Sequence, residues 1–589
     1  MKNWFQLTTE GAWLRQVLAS CAVTGVMLMV ASCASQVPQD EEFVRFANTY
    51  VDRYLEMNPE TATTLGDHRF DHRLDDYSTA GVEARLEFNK SARRSLKKIN
   101  SSQLIDVNRV DYEILRNHVE LSIFRLETLR EHEWNPLVYN IGGAIYSLIA
   151  RDFAPIEDRM GSVLERLRGV PEVAALAKAN LTKPPRVHTE TAIQQNRGTI
   201  NLIRDQLAEL LEEIPDISPE FEKVQASAVD ALEYYGSWLE NDLLQESDAD
   251  FRLGENKFRR KLEYVLHSDL TMGDILARAE RDLLETQGKM FEVALPLYQR
   301  FSAAQDGDVS SDKEYVIKFV LDRLAESRPA NETIVGQADS CLTQCIDFAR
   351  SQRLVSVPDE PLELIVMPEF QRGVAVAYCD APGPLEPEGK TFFAISPTPA
   401  DWTQERVASF FREYNNYMLH DLTIHEAVPG HYLQINHSNR FQAPTMVRSI
   451  FYSGPFVEGW ATYAEQLMAE AGYGGPEVKM QYLKMRLRMI INAIIDNKIH
   501  TQGMTEGEAK ALMMKHGFQE EGEASGKWRR ACLTSTQLST YYVGNIEVND
   551  IRRAYERNKG SEVALQEMHD EMLSFGSPPP KYVRQLMGL

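Results

Sequence analysis

The sequence predicts a mostly α-helical fold of two lobes with one small β-sheet between stretches of helix. Three observations predict it. Apolar residues recur at helical spacing from about residue 41 to 351; three short apolar runs broken by Pro and Gly follow between 362 and 396; helical spacing then resumes at Asp401 and continues, with breaks, to the C-terminus. With 589 residues, 43% of them hydrophobic and 25% charged, the composition is that of an ordinary globular protein with a real core. A formal charge of -23 argues against nucleic acid as a partner, because affinity for phosphate backbones comes largely from Lys and Arg.

The helical pattern is clearest where Ser218 stands at a cap and Pro219 at the first helical position, ahead of Phe221, Val224, Ala228, Leu232, Tyr235 and Leu239 on one face. Thr271 with Asp274, and Thr505 with Glu508, read as capping boxes. Strands are expected at 362–367, 373–378 and 391–395. A boundary near residue 355 separates an N-terminal lobe (34–355) from a C-terminal one (356–589), and one continuous domain over 41–589 is equally compatible with the pattern. No internal repeat or low-complexity tract interrupts it.

Residues 1–33 read as a signal peptide: Lys2 and Arg15 precede an uncharged run from Val17 to Ala31, shorter than the roughly 20 apolar residues of a membrane-spanning helix. The run ends in Val30-Ala31-Ser32-Cys33, which resembles the bacterial lipobox, in which cleavage leaves an acylated cysteine at the mature N-terminus. Cys33 is therefore the expected lipidation site, with a plain secretory signal or an uncleaved anchor as the alternatives. Ala34 rather than Asp follows it, so the expected location is the cell envelope, anchored at the outer membrane. Cys341, Cys345, Cys379 and Cys532 follow. Cys341 and Cys345 are one helical turn apart, a geometry that strains a disulfide, so buried thiols are expected there.

Four of the thirteen histidines lie between residues 420 and 437, and the segment His425-Glu426-Ala427-Val428-Pro429-Gly430-His431 carries the chemistry. It resembles the zincin signature, in which two helix-borne histidines hold zinc and the Glu beside the first is the general base. The spacing departs from that signature. Six residues at about 100° each place His431 roughly 120° from His425 on a regular helix, so one helix cannot deliver both to one ion. Pro429 and Gly430 supply the means to distort it. The alternative is that His431 is only a packed or capping histidine.

Glu458, 27 residues after His431, sits in a helix that starts at Pro455 and stops near Gly472, and it offers a third ligand. Two His and one Glu leave a position open for water, the arrangement of catalytic zinc sites. A surface carboxylate is the plainer reading of Glu458. Gly459 is costly inside a helix and points to close packing, and Glu465, on the same face as Glu458, is a candidate hydrogen-bond partner for a ligand histidine.

The string His-Glu-Ala-Val-Pro-Gly-His-Tyr-Leu-Gln, followed by Phe-Val-Glu-Gly-Trp-Ala-Thr-Tyr-Ala-Glu, resembles the bacterial domain-of-unknown-function 885 family. The likeness covers nearly the whole mature chain and includes Asn58-Pro59-Glu60-Thr61-Ala62-Thr63-Thr64-Leu65-Gly66, Asn135-Pro136-Leu137 and Thr536-Gln537-Leu538-Ser539-Thr540-Tyr541-Tyr542-Val543-Gly544. The resemblance implies a helical, zincin-like lipoprotein related to the gluzincin metallopeptidases, with one Zn2+ held by His425, His431 and Glu458.

Such a site predicts peptide hydrolysis with Glu426 as general base. Candidate donors to the oxyanion are His500, oriented by Asp496 one turn before it, and Tyr541 and Tyr542. Arg530 is a candidate anchor for a substrate carboxylate. An ordinary helix ion pair, core aromatics and a surface charge are the plainer readings of these residues. An edge of the small sheet could hold an extended peptide. Three functions are open: a metallopeptidase acting on a peptide, a zinc hydrolase of other small amides or esters, and a non-catalytic binding lipoprotein.

Overall fold

Helices dominate the chain wherever apolar residues recur at helical spacing. The computed structural model describes residues 37–212, 214, 218–302, 312–367, 376–386, 388–560 and 564–589. The expected signal peptide, its lipobox and Cys33 lie outside these residues, as do Gly373, Val374 and Ala375 of the second expected strand and the side chain of Ser218. Among the described residues no helix is long and apolar enough to cross a membrane.

Helix Ser218–Asn241 buries Phe221, Ala228, Leu232, Tyr235 and Leu239 and packs Val224 at their margin, which is the face the sequence marks. Both capping boxes form: Thr271 and Asp274 exchange main-chain to side-chain hydrogen bonds at 3.2 Å in each direction, and Thr505 and Glu508 do the same. Cys341 and Cys345 are buried free thiols, Cys345 donating to the Tyr473 hydroxyl at 3.3 Å.

The sheet has three strands, β1 (Leu362–Val366), β2 (Ala377–Asp380) and β3 (Thr391–Ile395), in the order β1-β3-β2. Strand β3 is parallel to β1 and antiparallel to β2. Ala377 and Tyr378 of the second expected strand, 373–378, lie in β2, which continues to Asp380. Its extent is set by its partner: Ala377 pairs with Ile395 at the end of β3, and the ladder runs from there to Asp380 opposite Phe392.

Among the described residues four apolar cores hold the molecule together. One belongs to the N-terminal bundle between Tyr77 and Leu243. The other three draw on residues from both sides of position 355. Helix Met272–Ser302, for instance, shares its core with the helix Gly475–Gln502. A buried ion pair also crosses: Arg448 Nε meets Asp111 Oδ1 at 2.6 Å, with Thr445 donating to the same carboxylate. These shared cores give the site helices a fixed frame.

Candidate metal centre

Five helices build the site: α1 (Asn416–Glu426), α2 (His431–Asn439), α3 (Gly454–Glu470), α4 (Gly475–Gln502) and α5 (Ser539–Lys559). The chain does not bend one helix to bring the two histidines together; it ends one and begins another. Asn415 caps α1, accepting from the amides of Tyr417 and Met418, and α1 stops at Glu426. Ala427 to Gly430 form a tight turn with a cis Val428–Pro429 peptide, and His431 opens α2. The turn returns so closely on α1 that a Cβ on Gly430 would lie 2.0 Å from the His425 carbonyl oxygen and 2.3 Å from that of Ile424. Only glycine fits there. The break replaces the 120° offset of a continuous helix with a geometry in which the two rings meet edge to face, centroids 4.8 Å apart.

Helix α3 brings the third group and pins the turn. Ser453 caps it with Pro455 in its first turn, and it ends at Glu470 ahead of Gly472, whose φ of 88° only glycine adopts freely. The buried Trp460 donates its indole N–H to the Pro429 carbonyl at 2.8 Å. Gly459 packs backbone to backbone on Gly544 of α5, where a Cβ on either would meet main-chain atoms of the other helix at 2.7 Å or less. The close packing expected at Gly459 is thus explained by a second glycine across the contact. The helices run parallel, since Gln466 meets Asn549 and Glu470 meets Arg552 further along.

Glu458 Oε2 lies 3.6 Å from His425 Nε2 and 3.4 Å from His431 Nε2, and the ligand atoms of all three residues fall within 4.8 Å of one another. Two ligands at about 2.0–2.1 Å from a tetrahedral zinc are about 3.3 Å apart, close to the two separations seen. Glu458 Oε2 is buried yet accepts no hydrogen bond from the described residues, which is costly unless something else satisfies it. Burial opposes its charge, but the facing imidazoles of His425 and His431 hold its carboxyl well below the usual range. Two imidazole nitrogens and a carboxylate oxygen are a donor set that fits zinc.

His425 Nδ1 pairs with Glu465 Oε1 at 2.5 Å, fixing the ring so that Nε2 faces Glu458. The expected partnership between Glu465 and a ligand histidine is the one seen. Beside them Asp421, one turn before His425, has both carboxylate oxygens buried without a partner among the described residues. Burial, with the Glu465 charge added, pushes its carboxyl well above the usual range. Replacing Glu465 by Gln is expected to weaken metal affinity about 10- to 100-fold, measured by competition with a zinc chelator; an unchanged affinity would mean that Glu465 does not orient His425.

Glu426 points to the sheet. Its Oε2 accepts the Cys379 main-chain N–H at 3.2 Å. Strand β2 is an edge strand, and this amide faces away from β3 toward the site. The carboxylate is thereby held one residue from His425 on a frame independent of α1.

The model of the DUF885 family, bacterial proteins of unknown function, matches residues 59–587. The chain belongs to this family. A solved structure of a candidate lipoprotein of unknown function from Shewanella oneidensis is 34% identical, covers 93% of this chain and all of its own, and superposes with a TM-score of 0.79. A candidate lipoprotein from Colwellia psychrerythraea, at 16% identity, shares the fold with a TM-score of 0.75, covering 94% of this chain and 98% of its own. No curated protein matches.

The other expected site residues of this DUF885 protein divide. His500 does not serve the cluster: it is buried, its Nε2 meets the carbonyls of Ala531 and Thr534 at 3.0 and 2.9 Å, and it stacks on Phe258. Asp496 does not orient it. It accepts from the amides of Thr536 and Ser539 and from the Ser539 hydroxyl, anchoring the start of α5. Tyr542 is also turned away, donating to Asp282 at 2.7 Å. An i,i+4 pairing says which residues share a face but not which neighbour that face meets. Tyr541, about 100° around α5 from Tyr542, does not share that partner, and burial together with the Glu458 charge raises its phenol pKa. Arg530 Nη2 donates to Tyr541 Oη at 3.0 Å and to Gln537 Oε1 at 2.8 Å. Sequence reasoning missed the Cys379 amide, Trp460 and Asp421; of these, only Trp460, beside Glu458, lay within a motif already singled out.

Proposed function

We propose that this DUF885 protein is a zinc-dependent hydrolase with a zincin-like site, a metallopeptidase that cleaves peptide bonds with Glu426 as general base. The observation that carries the reading is the convergence of His425, His431 and Glu458 with Glu426 beside them on a β-strand amide. The chemistry zinc supplies when held this way is Lewis acidity, which acidifies water toward neutral pH and polarises a carbonyl.

The chain's own residues do the rest. Glu426, held by the Cys379 N–H, takes the proton of the attacking water and passes it to the leaving amine. Glu465 keeps His425 in one tautomer. Tyr541, with Arg530 on its oxygen, is the donor best placed to stabilise an oxyanion. The edge of β2 does not serve as an open ladder for an extended peptide, because Glu426 takes its outward Cys379 N–H and Arg151 donates to the Asp380 carbonyl. The signal-like residues 1–33 and the description of the Shewanella relative as a candidate lipoprotein support a lipid anchor on Cys33 in the cell envelope, and Ala34 after it favours the outer membrane.

Purified protein is expected to carry about one zinc per chain, to lose it together with peptide cleavage on chelation, and to recover both on zinc addition. Metal analysis beside mass spectrometry of a peptide pool reads both. Zinc binding with no peptide cleaved, but turnover of small amides or esters, would move the reading to that substrate class; absence of zinc binding would sink it.

A further inference from the structure

Beside the metal cluster lies a group of cations with too few anions. Helix Glu521–Leu533 carries Glu523, Lys527 and Arg530 at helical spacings of four and three, on one face. Glu523 is engaged by Arg488 of α4 in a close ion pair and by the Tyr414 hydroxyl at 3.0 Å. Lys527, only 9% exposed, is left 3.8 Å from that same carboxylate. Burial and the Arg488 charge push its ammonium pKa down to about 7. Arg530 has no carboxylate partner among the described residues; its Nη2 is used by Gln537 and Tyr541, while Nη1 and Nε bond to no described residue.

The neighbouring acids are already spent. Glu413 pairs with Lys484 at 2.8 Å, and Glu520 with Arg412 at 3.3 Å. Arg488 and Lys527 thus share the Glu523 carboxylate while Arg530 has none among the described residues, and charge away from water is tolerated only when paired. The group is linked toward the metal cluster through Tyr541, which accepts a hydrogen bond from Arg530 and whose phenol feels the Glu458 charge. An anion arriving there would find a guanidinium with free donors and an ammonium one helical turn apart.

We propose that Lys527 and Arg530 form an anion subsite that takes a carboxylate of the peptide substrate while the neighbouring peptide bond lies at the metal cluster. The proposal deepens the hydrolase reading and rests on it. A peptide carboxylate has two sources, the free C-terminus and an acidic side chain. The C-terminus would make the protein an exopeptidase that counts residues from that end.

Binding rather than turnover tests it. Zinc-loaded Glu426→Gln protein is incubated with a pool of short peptides, each made as the C-terminal acid and as the amide, with Glu or with Gln in the chain. Retained peptides are identified by mass spectrometry after size exclusion. Anionic members are expected to be enriched roughly 10- to 100-fold, the effect of a charge-assisted contact, and Lys527→Met and Arg530→Met should each remove the enrichment with zinc content unchanged. Arg530→Lys should restore part of it. Enrichment of acids over amides assigns the C-terminus; enrichment of Glu over Gln whatever the terminus assigns the side chain. Equal retention of anionic and neutral peptides, or no retention of anionic ones, overturns the subsite. Loss of zinc from the parent protein would instead overturn the hydrolase reading, so the two failures are distinct.

Discussion

Gly430→Ala is expected to abolish high-affinity zinc binding. The added Cβ would fall 2.0 Å from the His425 carbonyl oxygen, 2.3 Å from the Ile424 carbonyl oxygen and 2.6 Å from the His425 carbonyl carbon. All three are main-chain atoms, so no side chain can rotate away, and α1 and α2 must separate. His425 lies in the last turn of one of these helices and His431 begins the other. A shift large enough to relieve the contact moves one ligand against the other by on the order of 1 Å, enough to spoil a site that needs ligand distances within about 0.2 Å. Overpacking also costs stability, typically about 1–3 kcal/mol. Zinc titration and thermal unfolding of the variant read the two consequences separately. A variant that binds zinc as tightly as the parent would mean that the turn does not set the ligand geometry.

Glu426→Gln should leave zinc in place and remove turnover. Glutamine keeps the length of the side chain and an oxygen that can accept the Cys379 N–H, so the local structure has no reason to change. What it cannot do is take a proton at neutral pH. Loss of a general base typically costs 10²–10⁴-fold in rate, and the loss should fall on kcat with little change in KM, because Glu426 lies outside the three converging ligands. Full activity in the variant would remove Glu426 from the mechanism. Loss of zinc instead would show that the carboxylate supports the metal and not only the proton transfer.

The distortion expected between the histidines is a complete break between two helices rather than a kink or bulge within one. Pro429 and Gly430 mark the place at which regular helix fails, and the sequence shows this directly because those two residues have unusual backbone preferences of their own. How far the chain departs from a helix depends on what holds the turn afterwards. That is Trp460 on the Pro429 carbonyl, from a helix some thirty residues later.

The sequence alone determined what rests on local physics. Helical spacing defined the face of Ser218–Asn241, caps began the helices at Thr271 and Thr505, and the order of His425, Glu426, His431 and Glu458 named the residues that come together. Tertiary structure decided where faces point and what lies across from them. It sent His500 to the carbonyls of Ala531 and Thr534 and Tyr542 to Asp282, although their helical spacing is as regular as that of Tyr541. It placed the Cys379 amide on Glu426, a contact that leaves no trace in residue type because any strand residue but proline could donate it. It also set Arg488 and Lys527 on one carboxylate and left Arg530 to Gln537 and Tyr541. Side-chain periodicity repeats along one element and is therefore written in the sequence, whereas contact between elements depends on how all of them pack at once.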